Sequence, residues 1–185
     1  MMNKQEFREK YLSIRNNIPD TKKSEYDKIL AEKLLSMVEF KNADSVLLFW
    51  SICSELDTGE IFKESIRQGK KVYFPKCTGE GQMIFFRVFS DKDFSVGKYN
   101  IPEPTTNIKY ELNGKNSLAV IPALSVGRDF SRLGYGKGYY DRFLNDFKGI
   151  SVCPTYPQLL CEGVPTGKFD IPMNIIITPT ESLRR

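Results

Sequence analysis

The sequence predicts an α/β fold with a mostly parallel central sheet. Three observations lead there. Ser45–Trp50 (SVLLFW) is apolar without a break, as a strand covered on both faces is. Lys71–Pro75 (KVYFP) is a second apolar strand. Between them, Ile61, Phe62 and Ile66 fall at helical spacing in a stretch that Gly69 stops. Strand, helix and strand in that order make a parallel pair joined by a right-handed crossover.

The other elements follow along the chain. Asn3–Ile18 reads as an amphipathic helix, with Asn3 as N-cap, Phe7, Tyr11, Ile14 and Ile18 as its apolar stripe, and Pro19 as its stop. Asp20 or Thr21 then caps a second helix, whose buried stripe is Tyr26, Ile29, Leu30, Leu34, Met37 and Val38. Asp57 is positioned to cap the third. Gly79–Gly81 marks a turn before a strand at Met83–Val88. Asp91–Asn116 is polar, contains Pro102 and Pro104, and reads mostly as loop. Leu118–Ile121 (LAVI) is a short strand. A glycine-rich basic loop leads into a helix from about Gly138 to Phe147, and Ile150–Cys153 and Asn174–Thr178 are the last strand candidates. No internal repeat or interdomain linker is visible, so residues 1–185 read as a single domain.

Composition narrows the function. The chain is 41% hydrophobic and 27% charged, ordinary for a globular protein. No apolar run approaches the roughly 20 residues of a membrane span. Met1–Lys10 is charged and lacks the apolar stretch of a signal peptide. The expectation is a cytoplasmic protein that binds neither membrane nor nucleic acid. The net charge of +4 is spread along the chain and suits an anionic small ligand where basic residues converge. Cys53, Cys77, Cys153 and Cys161 form no CxxC pair and read as packed or idle thiols. There is no histidine, which excludes Ser-His-Asp and Cys-His nucleophile systems and His-ligated zinc.

The densest chemical signal is Ser131–Arg142, SRLGYGKGYYDR. Gly134, Gly136 and Gly138 alternate there with Arg132, Lys137 and Arg142 nearby, between a buried strand and a helix. Such glycines let backbone N–H groups approach an anion at a helix N-terminus. Lys137 and Arg132 can add charge-assisted bonds to phosphate. The loop is neither a Walker A motif nor GxGxxG. A structural glycine turn with solvated basic residues is the alternative.

Three weaker constellations accompany it. Lys4, Arg8 and Arg15 follow helical spacing, and on pattern alone they form a solvated edge whose stems cover the core. Trp50 and Glu55 could stack on and hydrogen-bond a heterocycle such as a pterin, or be core and helix start. Asp141 and Asp170 could hold Mg²⁺, although lone loop aspartates are usually caps or turns.

The run IPALSVGRDFSRLGYGKGYYDRFL, residues 121–144, resembles the signature of the 5-formyltetrahydrofolate cyclo-ligase family. Lys4–Arg8 is similar to its Lys-x-x-x-Arg element and SELDTGEI to its Glu-x-x-Thr element. IPEP (101–104) is similar to a Pro-flanked glutamate motif, and YPQLL and FDIPMNIIITP to the C-terminal elements. The resemblance implies a three-layer α/β domain with ATP and 5-formyltetrahydrofolate as substrates and Mg²⁺ as cofactor; a monomer is the expectation, though the sequence itself does not encode the oligomeric state. It implies ATP binding by Lys4, Arg8 and Arg132 to Tyr140 (Arg132, Leu133, Gly134, Tyr135, Gly136, Lys137, Gly138, Tyr139 and Tyr140). Folate contacts would fall to Arg8, Trp50, Glu55 and Tyr135–Tyr139, the metal to Asp141 and Asp170, and the catalytic charge to Lys137 and Arg132. Two departures stand out: Phe169 replaces a histidine common in the family, and Tyr99-Asn100 precedes IPEP where glycine is commoner. The rival readings are another ATP-dependent kinase or ligase on this scaffold, or a non-enzymatic polyanion binder using Lys4, Arg8, Arg132 and Lys137.

Overall fold

A computed structural model describes residues 2–112, 114 and 116–185. Met1 and positions 113 and 115 of the expected loop lie outside the described residues, as does the Tyr99 side chain. Helix α1 spans Lys4–Asn16. Asn3 caps it: its side chain accepts the Gln5 and Glu6 N–H groups, and Glu6 reaches back to the Asn3 N–H. Helix α2 spans Asp20–Ser36 and has no side-chain cap, so neither Asp20 nor Thr21 plays the expected part. The chain breaks at Met37 (ψ 143°) before a short α3, Val38–Asn42. That break turns Val38 out to 59% exposure, against the expected stripe.

Strand β1, Ser45–Leu47, leads through Thr58 to α4, Gly59–Arg67. Thr58 precedes this helix without capping it, because its hydroxyl donates to the Phe49 carbonyl instead. Asp57 accepts the Gly59 N–H. Gly69, at φ +73°, follows the helix. Strands β2 (Lys71–Gly79) and β3 (Gln82–Val88) form a hairpin. The expected loop 91–116 contains a second hairpin, β4 (Phe94–Val96) with β5 (Pro102–Pro104). Strands β6 (Ser117–Val120), β7 (Ser125–Gly127) and β8 (Arg132–Leu133) precede α5, Tyr139–Asp146. Then come β9 (Ile150–Pro154), β10 (Leu160–Cys161), β11 (Ile175–Ile177) and β12 (Ser182–Arg184).

The main sheet has the order β12-β11-β9-β6-β1-β2-β3. Its inner strands run parallel, and β3 and β12 are antiparallel edges. Alternate residues of each strand enter two cores. Val46, Leu118, Val120, Val152 and Ile175 pack with Leu30, Leu34 and Phe62 from α2 and α4. Leu47, Ala119, Ile121, Cys153 and Ile176 pack with Phe143 and Leu144 from α5. Apolar side chains on both faces explain the uninterrupted runs in the sequence, and they make the fold three layers deep. A smaller sheet, β10-β7-β8, ends at the start of the glycine loop. Among the described residues no helix is long and apolar enough to cross a membrane.

Leu118 is fully buried in the central sheet. Leu118→Ala is expected to lower stability by about 2–5 kcal/mol in urea denaturation, while Val38→Ala changes it by less than about 0.5 kcal/mol. Equal effects would contradict this placement of the core.

Candidate active site

A cleft of about 510 Å³ opens where β1 and β6 end. After β1 the parallel strands step to β2 on one side and to β6, β9 and β11 on the other. Such a reversal leaves a crevice beyond the strand ends, where open α/β sheets bind ligands. Phe49, Trp50 and Glu55 after β1 and Pro122 after β6 line it. Every residue to which the family resemblance assigns a site role lies on its wall: Lys4, Arg8, Trp50, Glu55, the run Arg132–Asp141, and Asp170, whereas Arg15 and Arg142 do not line it. Phe169 is absent from that wall and is 78% exposed.

The glycine loop forms one side. Gly136 (φ +90°) and Gly138 (φ +67°) adopt a backbone that L side chains resist. Arg8 packs so closely that a Cβ on Gly136 would stand 2.9 Å from its guanidinium. Arg8 Nε also donates to the Gly134 carbonyl at 3.0 Å. Arg142 braces the far side, with bonds of 2.6 Å to the carbonyls of Gly81 and Lys137. It is therefore a backbone clamp. Gly138 N-caps α5, whose first N–H groups have no partner within the helix.

Charge around the loop is only partly neutralised. Arg132, 6% exposed, donates to Asp141 at 2.9 Å and to the Pro122 carbonyl at 3.3 Å. Its buried Nε has no partner among the described residues. Lys4 pairs with Asp170, which also accepts the Gly167 N–H at 2.7 Å. Among the described residues neither Arg8 nor Lys137 has a carboxylate partner. An orphaned guanidinium N–H, two cations without carboxylate partners and a helix N-terminus in one cleft suit a polyphosphate.

Among the described residues no three acidic, Cys or His side chains gather to hold a metal. Asp141 and Asp170 line the cleft, but each is already bonded to a cation. This arrangement fits Mg²⁺ only where phosphate and water supply most of its ligands, as is usual for that ion.

Another part of the lining is aromatic and acidic. Trp50 lines the cleft and packs on Phe94 (4.9 Å between centroids), so the β4–β5 hairpin backs it. Glu55 is 6% exposed. Its carboxylate accepts the Ile52 N–H at 3.2 Å and stands 3.9 Å from Arg15. Burial pushes its pKa above the usual carboxylate range, while the Ile52 N–H and Arg15 pull it down. Tyr135 accepts a bond from Arg15 and lies against Glu55. The basic edge of α1 is thus not solvated as its pattern suggests: Lys4 and Arg8 line the cleft and Arg15 is buried.

Sequence reasoning missed several wall residues, among them Ile52, Cys77, Met83, Lys98 and Glu103. Glu103, 8% exposed, accepts the Cys77 N–H at 3.0 Å and leaves no room for a Cβ on Gly97. Its signal was available in the IPEP motif, but a short hairpin in a polar stretch has no periodicity to reveal it. Burial and Glu103 push the Cys77 thiol above its ordinary pKa, so it stays protonated at neutral pH.

The sequence model of the 5-formyltetrahydrofolate cyclo-ligase family matches residues 1–179. The chain is 25% identical over 177 residues to the 5-formyltetrahydrofolate cyclo-ligase of Haemophilus influenzae, covering 92% of this chain and 94% of that one. Its structure is similar to the NMR structure of Aquifex aeolicus 5,10-methenyltetrahydrofolate synthetase, with a TM-score of 0.89 and 30% identity over 99% of this chain and 93% of the other. It also shares its fold with a 5,10-methenyltetrahydrofolate synthetase of Mycoplasma pneumoniae, with a TM-score of 0.77 and 22% identity over 96% of this chain and 99% of that one.

The loop glycines carry a testable constraint. Gly138 already has a left-handed backbone (φ +67°), and a Cβ added there would be strained and stand 2.9 Å from Arg142. Gly138→Ala is expected to destabilise the fold by about 1–2 kcal/mol in urea denaturation. An unchanged midpoint would show that the loop relaxes freely.

Proposed function

Because the chain belongs to the 5-formyltetrahydrofolate cyclo-ligase family, we propose that it closes the ring of 5-formyltetrahydrofolate at this cleft. The proposed products are 5,10-methenyltetrahydrofolate, ADP and phosphate, with ATP as co-substrate. One observation carries the reading. A glycine loop with cations that have no carboxylate partner among the described residues, and an aromatic–carboxylate pair, line a single cleft of about 510 Å³. The first suits a triphosphate and the second a pterin.

The chemistry explains why both must meet. A formamide oxygen is a poor leaving group. Transfer of the γ-phosphoryl group onto it breaks the bond to ADP and converts the oxygen into phosphate. N10 of the folate then attacks the formyl carbon, phosphate departs with that oxygen, and the N10 proton is released. Catalysis of phosphoryl transfer is mostly alignment and charge neutralisation. Lys137 and Arg132 would meet the oxygens of the transferred group, with the N–H groups opening α5 and Arg8 along the phosphates. Asp141 and Asp170 would hold Mg²⁺, which would supply charge screening of the phosphates. Trp50 would stack on the pterin and Glu55 accept its N–H groups, fixing the formyl oxygen in line. No step needs a protein base near neutrality, which suits a chain without histidine.

Purified protein with Mg-ATP and 5-formyltetrahydrofolate is expected to form the methenyl product, read by near-ultraviolet absorbance, with ADP released one for one. Lys137→Ala is expected to keep the fold and lose about 10²–10³ in kcat. ATP binding without methenyl formation would move the protein to another acceptor. A near-normal kcat in the variant would remove Lys137 from the role.

A further inference from the structure

Arg15 takes no part in the phosphoryl transfer, yet it is a deeply enclosed cation beside a cleft residue, Glu55. Its side chain is 2% exposed, and every arm of the guanidinium is engaged. Nε donates to Ser54 at 3.0 Å, Nη1 to the Ala123 carbonyl at 3.4 Å, and Nη2 to the Tyr135 hydroxyl. Nη1 also stands 3.9 Å from a Glu55 carboxylate oxygen. These partners come from the segment after β1, the segment after β6 and the glycine loop. Enclosing a guanidinium is costly unless it is paired and hydrogen-bonded, and a planar fork can hold several partners in one geometry. A residue needed only to cover the core would not require a charge.

We propose that Arg15 is a positioning residue for the folate wall, fastening Glu55 and Tyr135 so that Glu55 meets the pterin as an ionised acceptor. This rests on the reading that the cleft binds folate. An aminopyrimidinone edge offers two neighbouring N–H donors. An ionised carboxylate accepts both, whereas a protonated one gives up an acceptor position. The groups facing Glu55 are Arg15 from α1, Tyr135 from the glycine loop, Tyr140 from α5 and the Ile52 N–H. Arg15 is the one cation among them. Burial raises the Glu55 pKa and Arg15 opposes that rise. Folate affinity therefore falls as pH drops through the raised value, and removing Arg15 moves that fall to higher pH.

Trp50 is the single tryptophan of the chain and lines the cleft, so its quenching reports folate binding. Titrations with 5-formyltetrahydrofolate across the acidic to neutral range, without ATP, test the proposal. Arg15→Met is expected to weaken folate about tenfold at neutral pH and to move the acid limb upward. Arg15→Lys is expected to restore the limb but not the full affinity. ATP affinity, titrated separately, is expected to stay within about twofold. A purely structural role would instead lower the melting temperature and weaken both ligands together without moving the limb, and that outcome overturns the proposal. So does an unchanged folate profile in Arg15→Met. Should Arg15→Met fail to fold, Arg15→Lys and Tyr135→Phe decide: the proposal expects folate weakened a few-fold in each, and wild-type affinity in both overturns it. Wild-type protein that binds ATP but not folate overturns the folate reading, and the role of Arg15 with it. Wild-type binding of folate with an indifferent Arg15 overturns this proposal alone.

Discussion

The site depends on contacts that α1 makes with segments more than 100 residues away. Lys4, Arg8 and Arg15 lie on one face of the helix by spacing alone. Each is tied to a distant partner: Lys4 to Asp170, Arg8 to the Gly134 carbonyl, and Arg15 to the Ala123 carbonyl and Tyr135. These bonds hold the N-terminal helix against the glycine loop and close one side of the cleft. They also explain why the loop needs glycine at 136, since a side chain there would displace Arg8.

The sheet supplies the complementary constraint. Its strands reverse direction of progress at β1, and the chain leaves that strand's ladder at Leu47 while Leu48 and Phe49 stay buried. The segment that follows carries Trp50 and Glu55 along the floor of the crevice. Charges in the crevice are graded. Arg132 and Lys4 are held by aspartates, whereas Arg8 and Lys137 face the space with no carboxylate partner among the described residues. An entering polyphosphate would meet positioned donors without first breaking every internal pair.

Much of this was legible in the sequence, and the failures share a cause. Strands of the double-sided sheet announced themselves as unbroken apolar runs, and Asn3 and Gly69 marked helix ends by local chemistry. The residues to which the family resemblance assigns a site role all reached the cleft. Arg15 was misread because a basic edge on an amphipathic helix is normally solvated; its burial is imposed by Ser54, Ala123 and Tyr135, which no local pattern connects to it. The α2 stripe ran on to Val38 because nothing in the periodicity encodes the extended turn at Met37. Strands β8 and β10 are two residues each, too short to show any alternation. Glu103 was visible as a motif, but its place depends on a hairpin fixed by Phe94 packing on Trp50 and Phe74.

The central claim is that one cleft brings a phosphoryl donor and a formyl oxygen into direct contact. The most direct measurement is the fate of that oxygen. With ¹⁸O in the formyl group of 5-formyltetrahydrofolate and unlabelled ATP, one turnover is expected to deliver the label to inorganic phosphate. Label released into water would contradict the account, because the oxygen would then have left without accepting the phosphoryl group.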